Sequence, residues 1–204
     1  MKHLRRATDV DVGAMTDAAV IARSVQEPEM FSTVFDRHAP HIHRYLARRL
    51  GVSAADDLVA ETFLAAFRRR DRFDVTHSNA RPWLYGIATN IVGQHWRNEE
   101  REYRLREAYV PPTSEASHAD RLASVVTAQS LRRLLLDALA VLSSGDRDVL
   151  LLIAWEDLTY EEVATALAIP VGTVRSRLNR ARRLLREQLG GEPAGTIEEA
   201  LSNG

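Results

Sequence analysis

The sequence has no cysteine. Disulfide staples, thiolate nucleophiles and cysteine-ligated zinc are therefore excluded, and nothing points to an oxidising compartment. No apolar run approaches the roughly 18 residues that a membrane span requires, and the opening MKHLRRATDVDVGAM lacks the apolar stretch of a secretory signal. These absences lead to the expectation of a cytoplasmic protein without membrane contact. Lysine is nearly absent too: of 27 basic residues only Lys2 is one, and the rest are arginine. Neither sign of charge is in excess, since the formal net charge is −1, which argues against a uniformly basic nucleic-acid coat. Catalytic signatures are missing as well. There is no GxSxG, Gly-rich phosphate loop, HExxH or paired-carboxylate pattern, and the serines lack an orienting His and Asp. No enzymatic activity and no cofactor are expected. His38, His41 and His43 lie close together, but Pro40 interrupts them and no cysteine or evident carboxylate completes a site, so no metal is expected.

What is present is a packable chain. Over 204 residues, 45% are hydrophobic and 27% charged, ordinary values for globular protein, and the length suits two small domains. The stretch AYVPPTSEASHAD from Ala108 to Asp120 has two prolines, small polar residues and no hydrophobic period, and reads as part of a linker over 108–128. Before it, Phe31, Val34, Phe35, Ile42, Leu46 and Leu50 recur at helical spacing, with Pro40 leaving open one bent helix or two. Asp56 and Asp57 are placed at a helix amino terminus ahead of Val59, Phe63, Ala66 and Phe67. A further helix is expected from about Pro82, with Leu84, Ile87, Ala88, Ile91 and either His95 or Trp96 as its inner stripe. Between them, DRFDVTHSNAR reads as an ordered loop.

Beyond the linker, Leu131 to Leu142 and Val149 to Trp155 are helical by their leucine patterns, with Ser143 to Asp146 as the break and cap. Thr159 and Glu162 form a capping box for a short helix from Tyr160 to Leu167. A turn follows, and Thr173 is expected to cap a last helix with Val174, Leu178, Ala181, Leu185 and Leu189 on one stripe. No strand and no repeat is expected: the fold is all-α. Much of residues 1–28 and the tail from 191 to 204 are expected to be mobile extensions, and Met15 is a second candidate start.

Charge switches sharply inside the second half. From Leu142 to Pro170 six acids (Asp146, Asp148, Glu156, Asp157, Glu161, Glu162) stand against Arg147 alone. From Val171 to Leu189 six arginines (Arg175, Arg177, Arg180, Arg182, Arg183, Arg186) stand against Glu187 alone. A short helix, a turn and an arginine-rich second helix match the geometry in which the second helix enters a major groove and flanking cations meet phosphates. Arg175 and Asn179 are the chemically plausible base readers, because arginine pairs with guanine and asparagine with adenine. An ordinary amphipathic helix with a solvated arginine face remains the alternative. The first half gathers Arg72, Phe73, Arg81, Trp83, Tyr85, Trp96 and Arg97. Aromatics that stack unpaired bases beside arginines that follow the backbone suit single-stranded nucleic acid, while Trp83 and Trp96 fit a core equally well.

Three segments, DDLVAETFLAAFRRRDRF (Asp56 to Phe73), RPWLYGIATNIVGQHWR (Arg81 to Arg97) and LTYEEVATALAIPVGTVRSRLNRARRLLR (Leu158 to Arg186), together resemble the extracytoplasmic-function class of bacterial RNA polymerase sigma factors. The resemblance implies a region-two domain over 29–107 and a region-four helix-turn-helix domain over 129–190, with no region-three domain between. It implies that Asp56, Asp57, Leu58, Glu61, Phe63 and Phe67 dock on the clamp helices of the largest subunit of core RNA polymerase, and that the flap of the second-largest subunit is a further contact. Arg72, Phe73, Asn79, Arg81, Trp83, Asn90 and Arg97 would hold the melted minus-ten element. Thr173, Arg175, Ser176, Arg177, Asn179, Arg180 and Arg183 would meet the minus-thirty-five element. The linker resembles the segment that threads toward the polymerase active-site and RNA-exit channel. Promoter DNA, core polymerase and an anti-sigma factor are the implied partners. Two other classes stay open on the residues alone: a free-standing helix-turn-helix regulator, which leaves the first-half segments unexplained, and a hydrolase or transferase, for which no nucleophile and base can be named.

Overall fold

A computed structural model describes residues 14–109 and 137–189, and among these every regular element is a helix. In chain order they are α1 (Asp17–Ser24), α2 (Ser32–Leu50), α3 (Val52–Arg68), α4 (Arg81–Tyr109), α5 (Ser144–Ala154), α6 (Tyr160–Leu167) and α7 (Val171–Gln188). Short 3₁₀ turns at Pro28–Phe31 and Arg70–Arg72 precede α2 and follow α3. Packing divides the chain into two compact units between Ala88 and Thr89, within α4.

In the first unit, α2 and α3 lie against each other, joined by Gly51 alone. Its φ of 87° is a region that side chains with a Cβ enter at a cost, and its N–H closes α2 on the Ala47 carbonyl at 2.9 Å. One helix carries Pro40, not two; the proline lies on the exposed side of α2, so its missing N–H costs no buried hydrogen bond. Because Gly51 makes so tight a connection, α3 already begins at Val52. Asp56 and Asp57 therefore sit in its second turn and not at its amino terminus. Val34, Ile42, Tyr45 and Leu46 from α2, Ala55, Phe63 and Ala66 from α3 and Leu84 and Tyr85 from α4 are buried, with Tyr45 edge-to-face on Tyr85 at 5.4 Å. Each fully buried aliphatic side chain there contributes about 1.5–3 kcal/mol relative to exposure.

Residues 17–28, expected within a mobile extension, are ordered instead. Thr16 caps α1 by accepting the Ala19 N–H, and Val20 and Ile21 are completely buried. Asp17 accepts from Arg37 Nη1 at 3.0 Å, His38 Nε2 at 2.7 Å and the Ala80 N–H at 3.0 Å, tying α1 to α2 and to the start of α4. Arg37 also donates to the Met15 carbonyl at 2.9 Å.

In the second unit, Ser143 caps α5 by accepting the Asp146 N–H. Arg147 donates to the carbonyls of Leu139, Ala140 and Leu142, closing the helical stretch 137–140. The capping box at α6 forms as its sequence predicts: Thr159 Oγ1 accepts from the Glu162 N–H at 3.2 Å, and the Glu162 carboxylate from the Thr159 N–H at 2.9 Å. Ala168 ends α6 in the left-handed region (φ 51°, ψ 46°). Thr173 does not cap α7. Pro170 does, because its carbonyl already accepts the N–H groups of Thr173 and Val174, which leaves Thr173 inside the first turn. Val174, Leu178, Ala181 and Leu185 of the predicted stripe are buried, beside a core that includes Val149, Leu151, Leu152, Leu158 and Val163, whereas Leu189, its last member, falls just past the end of α7 and is half-buried.

α4 continues through Ala108 and Tyr109, the first two residues of the expected linker. The remaining linker residues, 110–128, residues 1–13 and the tail from 191 lie outside the described residues, as does the first half, 131–136, of the helix expected from Leu131 to Leu142.

Candidate functional site

Three surfaces carry the residues singled out by sequence. On α3, Asp56, Asp57 and Glu61 are exposed, whereas Leu58 and Phe63 are buried and Phe67 is half-buried. The acids form the outer face and the apolar residues support it. Phe67 stacks edge-on against Phe31 at 5.4 Å and lies under the Arg70 guanidinium at 3.9 Å, and Phe63 meets Phe35 at 4.8 Å. Phe35, counted by its spacing in the apolar pattern of α2, and Leu64, not singled out by sequence, remain 43% and 48% exposed and form an apolar margin. Asp56 is hydrogen-bonded to His43 at 3.0 Å.

The second surface is the loop leading into α4. Phe73 is buried and packs on half-buried Trp83 at 5.0 Å, so it braces the tryptophan and offers little face of its own. Residues 74–79 are exposed and hold themselves by local hydrogen bonds. Asp74 accepts from the Thr76 N–H and hydroxyl, bonds that draw its carboxyl below the ordinary range, and Asn79 accepts from the Arg81 N–H at 2.9 Å. Arg72 is exposed, and the Arg81 guanidinium lies 5.8 Å from the Tyr85 ring. Further along α4, Asn90 and Arg97 are exposed; with Trp83 they recur every seven residues, hence on nearly one face. His95 is half-buried and Trp96 is 47% exposed, so the inner stripe takes the histidine. The three clustered histidines diverge to different partners: His38 to Asp17, His41 to Arg44 and His43 to Asp56.

The third surface is α7. Burying its apolar stripe turns Arg175, Ser176, Asn179, Arg180 and Arg183 outward, with Thr173 and Arg177 half-buried. They are not equivalent. Arg180 makes a two-pronged ion pair with Asp146 of α5, Nε to Oδ2 at 2.7 Å and Nη2 to Oδ1 at 2.6 Å. The Arg177 guanidinium lies over Gly145, where an added Cβ would meet Nη1 at 2.7 Å. The Arg180 hydrogen bonds are the main reason that the Asp146 carboxyl falls below its usual range in spite of burial. Arg183 pairs with Glu187 at 3.2 Å.

Residues 34–102 match the family described as Sigma-70 region 2, and residues 132–185 match Sigma-70, region 4. The chain is 34% identical to the RNA polymerase sigma factor CarQ of Myxococcus xanthus over 165 residues, covering 79% of this chain and 90% of that protein. It is 32% identical to the ECF RNA polymerase sigma factor SigL of Mycobacterium tuberculosis over 177 residues, covering 85% and 98%. The chain belongs to the extracytoplasmic-function class of sigma-70 RNA polymerase sigma factors. Its fold resembles the sigma factor RpoE from Bartonella quintana, solved in complex with the anti-sigma factor NepR, with TM-score 0.58 and 27% identity over 80% of this chain and 98% of that one. As a sigma factor it supports promoter-specific transcription initiation through RNA polymerase. The region-two match takes in α2, α3 and much of α4, and the region-four match takes in α5, α6 and most of α7; α1 precedes both. No described helix of this sigma factor is long and apolar enough to cross a membrane.

Proposed function

We propose that this sigma factor divides promoter recognition between its two halves. The acidic face of α3 (Asp56, Asp57, Glu61), supported by Leu58, Phe63 and Phe67, docks on the clamp helices of core polymerase, and region four lies near the flap. The loop and α4 residues Arg72, Phe73, Asn79, Arg81, Trp83, Asn90 and Arg97 capture the separated minus-ten strand. Phe73 acts there by bracing Trp83. Extruding a base costs a few kcal/mol, which stacking and hydrogen bonds at such a surface offset. α7 enters the major groove of the minus-thirty-five element with Arg175, Ser176 and Asn179 foremost and with Thr173, Arg177, Arg180 and Arg183 around them.

The observation that carries this reading is the exposure of Arg175, Ser176 and Asn179 on the first turns of α7, directly after the turn at Ala168. A helix whose apolar stripe is fully buried presents that polar face outward as a rigid edge. The chain itself is a binding protein that redirects the polymerase's chemistry, and it works in the cytoplasm. An anti-sigma factor is a fitting regulator, since RpoE of Bartonella quintana, a structural relative, was solved bound to one. In vitro transcription with purified core polymerase over a genomic DNA library tests the reading. New start sites, sharing upstream and downstream sequence elements and appearing only when this chain is added, are expected. Start sites indistinguishable from those of core polymerase alone would overturn it.

A further inference from the structure

Asp146 lies outside every set of residues expected to touch DNA, yet it is the most completely buried carboxylate in contact with the DNA-facing helix. Its side chain is 2% exposed, whereas that of its partner Arg180 is 52% exposed. The guanidinium thus lies between the carboxylate and solvent. Asp146 takes Nε and Nη2, the inner edge of the planar group. A guanidinium gripped on that edge keeps its adjoining end edge, Nη1 with the second Nη2 proton, as a pair of parallel donors. Such an edge matches two acceptors side by side, which guanine presents in the major groove through O6 and N7 and which a phosphate also presents.

Two features favour the base over the phosphate. Paired with Asp146, Arg180 adds no net charge, so it gains little from counterion release, the main reward of a phosphate contact. A two-point grip from a buried carboxylate in the first turn of α5, whose own backbone N–H is held by the Ser143 hydroxyl, also fixes the plane of the guanidinium, and base reading depends on that orientation far more than phosphate binding does. Arg175 and Asn179 have no comparable restraint from another helix among the described contacts.

We infer that Asp146 is a positioning residue for sequence reading: it holds the inner edge of Arg180 so that the outer edge meets a guanine of the upstream promoter element. This rests on the assignment of α7 to duplex DNA. Removing the carboxylate frees Arg180 to sample other rotamers and unmasks its charge. Discrimination at one base pair then falls while general attraction to DNA does not.

The test uses the full chain bound to core RNA polymerase and a duplex pool randomised across the upstream element and joined to a fixed downstream sequence, with enrichment sequenced at several salt concentrations. The parent should enrich G·C at one position that Asp146→Asn and Arg180→Lys each lower by about tenfold, a discrimination of about 1.4 kcal/mol, while preferences elsewhere persist. Lysine keeps the charge but lacks the fork, so R180K decides the matter if D146N fails to fold. Unchanged enrichment in both variants overturns the proposal, and so does a uniform loss of all preferences, which marks a purely structural role. An Arg180→Ala protein that keeps the preference but flattens the salt dependence by about one assigns Arg180 to a phosphate and also overturns it. A parent that enriches no sequence sinks the duplex-reading assignment itself, whereas parental enrichment with indifferent variants sinks only the joint role of Asp146 and Arg180.

Discussion

The Asp17 carboxylate accepts the backbone N–H of Ala80 at 3.0 Å across 63 residues of sequence, and that bond anchors the end of the loop carrying Asn79 and the start of α4 at Arg81 to a helix that precedes the region-two match. Burial pushes this carboxyl up, but hydrogen bonds from His38, the Ala80 N–H and Arg37 outweigh it and hold the group well below its ordinary 3.8. A depressed carboxyl contributes stability that is complete above 3.8 and is lost as the pH falls below it. Asp17→Ala, which strands three donors, should destabilise the first half by about 3 kcal/mol. In denaturant titrations from neutral pH down to about pH 2.5, Asp17→Asn should lose less stability below about pH 4 than the parent does. Parallel pH profiles would contradict the role of this carboxylate.

Ala168 holds a left-handed conformation at the end of α6, with φ of 51°. Glycine takes that conformation without a Cβ penalty, so Ala168→Gly should stabilise the second half by about 1 kcal/mol after its greater unfolded-state entropy is allowed for. Thermal denaturation of the full chain reads this directly. A lower midpoint would mean that the alanine methyl packs usefully and that the strain argument fails.

Arg175→Ala and Asn179→Ala should each weaken binding to the upstream element by about 1–3 kcal/mol and relax preference at different base pairs. Competition of polymerase-bound protein between selected and substituted duplexes gives the measurement. An equal loss on every sequence would assign both residues to phosphates.

Charge reversal at Asp57 and Glu61 leaves the buried support of α3 untouched, since both side chains are exposed. The double variant should bind core polymerase about tenfold more weakly, roughly 1.4 kcal/mol, with an unchanged melting temperature. Parental affinity would remove the acidic face from the docking surface.

Local signals in the sequence were read correctly where the physics is local. The Thr159–Glu162 box and the Val174, Leu178, Ala181, Leu185 stripe each lie within one helix, and their spacing alone specifies them. α1 escaped because eight residues are too few for a hydrophobic period to stand out, and its stability comes from Asp17 contacts that are distant in sequence. Thr173 looked like a cap because hydroxyl residues favour that position; Pro170, whose carbonyl accepts the first turn's N–H groups, took it instead. The Asp146–Arg180 pair was illegible for the same reason as α1: it joins residues 34 apart, and the sequence showed only a block of acids followed by a block of arginines.

We propose that strand capture and duplex binding reside in different halves of the chain. Footprinting of one promoter with polymerase and a Trp83→Ala, Asn90→Ala protein tests it most directly, because nuclease protection reports the upstream duplex and permanganate reactivity reports unpaired thymines downstream. The upstream footprint is expected to persist while the downstream reactivity falls at least about tenfold, the loss of roughly one stacked base. Parental reactivity, or loss of both signals together, would contradict it.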